Sequence, residues 1–431
     1  MTAIDGISGA GPAMPTPRSQ RRRILAYLGM LIMLLAFGAP HGGFIDIPLG
    51  FLLKNKLGLD ADALAAFRLV AAAPLYVSFV FGYLRDSWDI LRIRDRGFMI
   101  VFGAASALLY ALFAFMPLSY GTLLAATILL TVTFLMVSSA QHGLASALAQ
   151  RHAMSGEVSA AWNILASVPT VAALLLGGIL SQALEAHDAE RAMRRLFLAG
   201  AAVMSVVALY GIWRPRAVFD DAPTGAPPPD LRQAIARLRA HRPIYPALLV
   251  WLLWNFAPGS VTPLQYHMQD SLGATDAQWG LWNAIFAASF VPTFIVFGVL
   301  CRRVALRTLL WGGTIVAVPQ LVPLLFIDSV PSALIAAVPI GLMGGVATAA
   351  YLDLIIRACP PGLQGTVLML SGSAYFMSVR LGDVLGTILY DHFGGFGICV
   401  AAITFAYALI LPVLLLVPRD LIATPDGKSA A

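Results

Sequence analysis

Long apolar runs separated by short polar breaks repeat along the whole chain. Apolar stretches of about 18 or more residues mark helices that cross a membrane. The pattern predicts twelve, over 24–53, 61–84, 97–116, 120–148, 158–184, 194–214, 244–270, 275–300, 306–327, 331–357, 365–391 and 396–418. The runs are continuous rather than alternating, and in lipid a backbone must satisfy its own hydrogen bonds. Helices therefore follow rather than a barrel. The expected fold class is an all-α membrane protein with twelve transmembrane helices in two pseudo-symmetric six-helix bundles.

One polar, Pro-rich stretch, "RPRAVFDDAPTGAPPPDLRQAIARLRAHRP", interrupts the series near its centre. It divides the chain into a tail (1–23), a first bundle (24–214), a linker (215–243), a second bundle (244–418) and a second tail (419–431). Within the linker, Leu231, Ile235 and Leu238 share a helical face opposite Arg232, Arg237 and Arg239. Such a helix lies on the membrane surface or docks on the protein. The two halves also repeat. "PLGFLLKNKLG" from Pro48 matches "PLQYHMQDSLG" from Pro263 at Pro, Leu, Leu and Gly. "GYL" at Gly82 pairs with "GVL" at Gly298, and "LGGIL" at Leu176 with "LGDVL" at Leu381. Inverted or parallel repeats of this kind place a binding site between halves near mid-membrane.

Composition sharpens the class. The chain is 59% hydrophobic and 12% charged, with a mean hydropathy of +0.80, too little polar surface for a water-soluble globule. The net charge of +6 points to neither nucleic acid nor an acidic partner; its distribution says more. With the N-terminus in the cytoplasm, most of the 28 Lys and Arg residues fall in cytoplasmic segments, as the positive-inside rule requires. The dissenting outer loop, "EAHDAERAMRR", is nearly neutral. The expected location is the cytoplasmic (inner) membrane, multi-pass, with both termini in the cytoplasm. Arg21-Arg22-Arg23 before an apolar run mimics a signal peptide, but Pro40 disfavours cleavage and the repeat needs the segment, so it is read as the first helix. Cys301, Cys359 and Cys399 have neither metal-ligand nor disulfide spacing.

Charges inside a membrane are costly and usually face a bundle interior or a water-filled cavity. His41 and Asp46 lie around a Pro-Gly break in helix 1, where they could bind a substrate or a proton. The bland alternative leaves Asp46 at the outer boundary beside Lys54 or Lys56. Arg68 on helix 2 binds an anion or snorkels outward. Arg380 and Asp383 on helix 11, three apart, form a local ion pair or serve an anionic group and a proton. Gln141 and His142 (helix 4), Trp254 and Asn255 (helix 7), Asn283 (helix 8) and Tyr375 (helix 11) line a hydrogen-bonding, aromatic cavity or simply pack. Asp353 and Arg357 precede a Cys-Pro-Pro-Gly break; spaced i, i+4, they are read as an ion pair at the cytoplasmic edge. No Gly-x-Ser-x-Gly, Walker, Gly-x-Gly-x-x-Gly or His-Glu-x-x-His signature is present, so neither an enzyme nor a cofactor is expected.

Two six-helix halves joined by a basic loop resemble the major facilitator superfamily. "GYLRDSWDILRIRDR" (Gly82–Arg96) is similar to its Gly-x-Leu-x-x-Asp loop motif, although Asp86 stands one residue early and the second Gly is missing. "FLLKNKLGLDADALAAFRLVAAAPLYVSFVFGYLRDS" resembles the folate–biopterin transporters and muropeptide permeases, which favour Leu-Lys-x-x-Leu-Gly-Leu, a Pro in helix 2 and Gly-x-x-Ser-Asp-Ser. "LDLIIRACPPGLQGTV" resembles that branch's Asp-Leu-x-x-Arg-x-Cys-Pro-x-Gly-x-Glu-x-Thr pattern through Asp353, Leu354, Arg357, Cys359, Pro360, Gly362 and Thr366. Gln364 replaces the acid, Ser78 a frequent Lys, and Arg85 a Ser. The resemblance implies a gate of Gly82, Arg85, Asp86, Asp353 and Arg357, with Asp86 holding the start of helix 11 near Gly365–Thr366. It implies a monomeric secondary transporter that moves a small molecule through the lipid bilayer by alternating access. The expected solute is medium-sized and partly anionic, of folate or pterin, muropeptide or siderophore class, coupled to protons through Asp46 and Asp383. A uniporter or efflux carrier is the alternative within that class; a receptor or membrane enzyme on the same scaffold is the alternative outside it.

Overall fold

The computed structural model describes residues 17–41, 45–59, 61–186, 189–220 and 230–427. The first half comprises α1 (Arg18–Gly38), α2 (Asp46–Phe51), α3 (Ala61–Ala71), α4 (Ala73–Tyr76), α5 (Ser78–Ser87), α6 (Asp95–Phe113), α7 (Tyr120–Arg151), α8 (Ser155–Ala186) and α9 (Ala189–Trp213). Two short helices follow, α10 (Arg216–Phe219) and α11 (Leu231–Ala240). The second half comprises α12 (Ile244–Asn255), α13 (Thr262–Tyr266), α14 (Asp276–Leu300), α15 (Leu306–Ala317), α16 (Val330–Ala358), α17 (Gln364–His392), α18 (Phe396–Ala408) and α19 (Ile410–Leu414), with α20 (Arg419–Ile422) after it.

Among the described residues seven helical stretches are long and apolar enough to cross a membrane, two of them formed by α15 with the 3-10 turn after it and by α18 with α19. The other expected spans are α1–α2, α3–α5, α8, α12–α13 and α17. Three of these five are broken. Pro40 interrupts the first, Pro74 the second, and Pro258 with Gly259 the seventh, as expected of residues that lack an amide proton or tolerate unusual backbone.

The repeat is written into the backbone. α2 runs on into a π turn, Leu52–Lys56, and α13 into another, His267–Ser271. The two turns are related by the same shift as Pro48 and Pro263. Each ends at a glycine in the left-handed region, Gly58 (φ 65°) and Gly273 (φ 70°). The halves meet through matching pairs, α5 on α17 and α14 on α8. At the first crossing a Cβ on Gly82 would overlap the Gly365 carbonyl; at the second, a Cβ on Gly298 would lie 3.1 Å from Ala160. Small residues let helices of an apolar bundle approach closely, and here the repeated glycine does so in both halves.

α11 forms as expected, with Asp230 capping the Gln233 amide. Leu231 and Ile235 stay exposed while Ala234 is buried, so the helix turns part of its apolar face away from the protein.

Candidate binding cavity and its closed end

A cavity of about 140 Å³ lies where the α1 break, α4–α5, α7 and α17 converge. Its wall includes His41, Ser78, Phe134, Ser138, His142 and Phe376. The α1 break presents His41, whose Nε2 lies 3.3 Å from the Ala71 carbonyl. Tyr110 donates to the Gly38 carbonyl freed by the same break (3.0 Å). On α7, His142 Nδ1 lies 2.7 Å from the Ser138 carbonyl. A carbonyl only accepts, so Nδ1 carries the proton and Nε2 is left as an acceptor. The imidazole meets the Trp162 ring edge-on, centroids 4.4 Å apart. The cavity is thus mostly apolar, with two imidazoles and several hydroxyls, a composition suited to orienting an organic molecule.

One end of the bundle is shut beneath this cavity. At mid-height Ser78 donates to the Met369 carbonyl (2.8 Å), and its hydroxyl and that of Ser373 lie 2.8 Å apart. Deeper, Asp86 accepts from the Gly365 amide (3.2 Å) and from the Thr366 amide and hydroxyl (both 2.7 Å). A carboxylate at a helix start satisfies orphan amides and suits the dipole. Arg85 steadies it, donating to Asp86 (2.7 Å) while gripping both oxygens of Asp95 (2.6 and 2.7 Å). Such two-pronged charge-assisted bonds fix orientation as well as adding energy. Gln150 donates to the Ile356 and Cys359 carbonyls (2.8 Å each), capping α16 from the other half. Asp353 is fully buried, and Arg357 binds it as the i, i+4 spacing requires, at 2.9 and 3.3 Å. Toward the opposite end Arg68, Tyr375 and Arg380 are exposed.

The remaining candidates separate. Asp383 does not pair with Arg380. Its two oxygens accept from the Thr262 amide and hydroxyl, each at 2.9 Å, so it caps the restart of helix 7. Trp254 is buried, stacked on Tyr407 (4.6 Å) and edge-on to Tyr351 (5.4 Å); it packs the second bundle rather than lining the cavity. Asn255 and Asn283 turn back on their own helices, donating to the Trp251 (2.7 Å) and Trp279 (2.9 Å) carbonyls. Gln141 is buried beside His142 in sequence, and among the described residues its Nε2 has no partner. The side chain of Asp46 lies outside what the structure describes.

Sequence reasoning missed Ser138, Phe134 and Phe376 in the wall, and Asp95, Gln150, Glu157 and Asp426 at the closed end. Only Asp95 carried a signal, an acid isolated in a run of arginines.

Residues 155–382 match the sequence model of the Major Facilitator Superfamily. The fold is similar to that of a Major Facilitator Superfamily transporter, FucP, in the outward conformation, with a TM-score of 0.67 at 14% identity, covering 91% of this chain and 98% of that one. It is also similar to the human organic anion transporter MFSD10 (TETRAN), with a TM-score of 0.62 at 17% identity, covering 94% of this chain and all of that one. No curated protein matches the sequence.

Proposed function

The chain belongs to the Major Facilitator Superfamily, and from that membership we propose that this secondary transporter moves a partly anionic organic solute across the cytoplasmic membrane, coupled to protons, by alternating access. The observation that carries the reading is the asymmetry of the bundle. Hydrogen bonds between the halves run from Ser78 and Ser373 at mid-height to the Asp86–Thr366 end, and the cavity sits on the other side of them. The arginine-rich closed end is the cytoplasmic gate, by the positive-inside rule, and the state is the outward-facing one. The likeness to a transporter in the outward conformation supports this.

Arg68 and Arg380, exposed toward the open end, draw an anionic group in. His41, His142 and the Ser78 and Ser138 hydroxyls hold the solute's polar atoms, and Phe134 and Phe376 its apolar body. The name of the organic anion transporter among the similar folds agrees with this charge. The resemblance around Asp353–Thr366 is to folate–biopterin transporters and muropeptide permeases; it supports transport of a medium-sized solute and carries no specificity for one of these classes. A cavity of about 140 Å³ is below the roughly 300–1,000 Å³ of sites for drug-sized ligands, so a solute of that size requires the open end to part further. The coupling proton is assigned to the His142 imidazole, whose Nε2 is left as an acceptor, rather than to Asp383, whose oxygens are already engaged.

Uptake into liposomes carrying the purified protein, driven by an imposed inward proton gradient, tests the reading against pooled folates, pterins and peptidoglycan fragments. The expected result is gradient-stimulated uptake of at least one, and loss of the stimulation in His142→Gln. Uptake that His142→Gln leaves equally gradient-dependent removes the proton from this residue.

A further inference from the structure

The segment after the last long helix is built into the closed end. The Arg357 Nη1 donates to the Leu421 (3.4 Å) and Thr424 (2.9 Å) carbonyls. The Asp426 amide donates to the Cys301 carbonyl (2.9 Å), and the Gly427 amide to the Ala153 carbonyl (2.7 Å). The Asp426 carboxylate, 1% exposed, reaches both halves at once. It accepts from Arg357 Nη2 at the end of α16 (2.9 Å) and, across the interface, from the Glu157 amide in the first turn of α8 (2.9 Å). Ser155 stands at 3.4 Å on the same side. Gly427 adopts φ 83°, which lets the chain turn out against Arg21.

These contacts lie beside the Asp86 contact but belong to different elements. They sew the start of α8 to the ends of α14 and α16 through a stretch of fewer than ten residues, with little apolar burial of its own beyond Ile422. Segments held by a few polar contacts at an edge open more readily than the core. For the closed end to part, the bonds from this segment to Ala153, Ser155 and Glu157 of the first half must break, while those to Arg357 and Cys301 hold it on the second half.

We propose that residues 419–427 form a latch that is released and re-formed in each transport cycle, with Asp426 as the positioning residue that closes it. The inference rests on the reading of this end as the gate.

The latch responds to pH. Asp426 faces Asp353 and Arg357 on α16, Ser155 and Glu157 on α8, and Cys301 and Arg302 at the end of α14. Arg21 of α1 and the His152 carbonyl complete the surroundings through Glu157. Three carboxylates share this space, and one oxygen of Glu157 has no donor among the described residues. Burial and the facing Asp353 push the Asp426 carboxyl up to about 7, against the pull of Arg357 and the Glu157 amide. Released into water the same group titrates near ~3.9. The closed latch therefore holds its proton more tightly than the open one. The part of its stability that comes from the Asp426 proton is complete below about 4, declines as pH rises, and is lost above about 7.

The test uses the full chain in lipid nanodiscs, with the native cysteines replaced by Ser and spin labels at Arg92 and Arg303. Both positions are exposed and on opposite halves at this end. Distances are measured at pH 6 and pH 8. Wild type is expected to show a longer-distance population that grows at least threefold from pH 6 to pH 8. Asp426→Ala is expected to show it enlarged at least threefold at pH 6. Asp426→Asn keeps an acceptor for the Glu157 amide but cannot ionise, so it stays closed at both values. Identical distributions in wild type and Asp426→Ala at pH 6, or the same pH response in wild type and Asp426→Asn, overturn the latch. The second comparison decides the matter even if Asp426→Ala does not fold. If this end stays closed at both pH values and in Asp426→Ala as well, the gate reading itself falls; if it opens but ignores Asp426, only the latch does.

Discussion

The breaks in helix 1 and helix 7 occupy equivalent places in the two halves, and they are finished differently. Both resume as a short helix, pass through a π turn, and end at a left-handed glycine. In helix 7 the break is stitched shut. Asp383 caps Thr262, and Gly259, at φ 102°, is pressed against Cys399 and Gly386. In helix 1 the break sets His41 in the cavity wall, and its freed Gly38 carbonyl is taken by Tyr110. A duplicated backbone thus serves one half as a rigid brace and the other as a cavity wall. The difference lies in neighbouring side chains, not in the repeat.

Substitutions at four positions bear on that contrast. The largest effect is expected from Gly386→Leu. A Cβ there would overlap the Gly259 amide and come within 2.9 Å of Pro258, and overpacking against backbone costs about 1–3 kcal/mol or more. A thermal melt of purified protein equal to wild type would mean that helix 7 is not braced. Next, Asp383→Ala removes both acceptors from Thr262, at about 0.5–2 kcal/mol for a lost helix cap. Asn should restore part of it. Melting temperature reports the cost, while the pH profile of uptake should stay unchanged; a flattened profile in Asp383→Asn would return the proton to this residue. The smallest effect is expected from Gly58→Ala and Gly273→Ala. At either position an added Cβ would meet nothing within 4 Å, so each should cost the left-handed backbone penalty less what alanine gains by restricting the unfolded chain, a net of about 0.5–1 kcal/mol. Equal shifts in the two melts would support the repeat as a backbone feature, and a large inequality would break it.

The closed end shows where sequence reasoning stops. The i, i+4 spacing of Asp353 and Arg357 was enough to pair them, because helix geometry alone makes such residues neighbours. The meeting of Asp86 with Gly365 and Thr366 was reachable through a motif resemblance. Asp426 was not reachable: it follows a proline in a polar stretch, and nothing local distinguishes it from a solvated tail residue. Arg380 and Asp383 show the converse. Their spacing allowed a pair, yet Thr262 offers Asp383 two donors in a fixed geometry from a helix start far away in the chain.

What the sequence determined by itself was periodic or local: the apolar spans, the breaks at proline and glycine, the uneven spread of charge among the loops, and the repeat with its paired turns. Hydrophobic length and backbone stereochemistry act over a few residues, so they can be read in order along the chain. Only the tertiary structure decided most of the polar meetings between distant segments. That gave His41 and His142 a common cavity, left Trp254 to packing, turned Asp383 into a cap, and carried Asp426 into the interface between halves. A buried polar group settles on whichever partner the assembled fold brings within hydrogen-bond distance, and that partner is often hundreds of residues away.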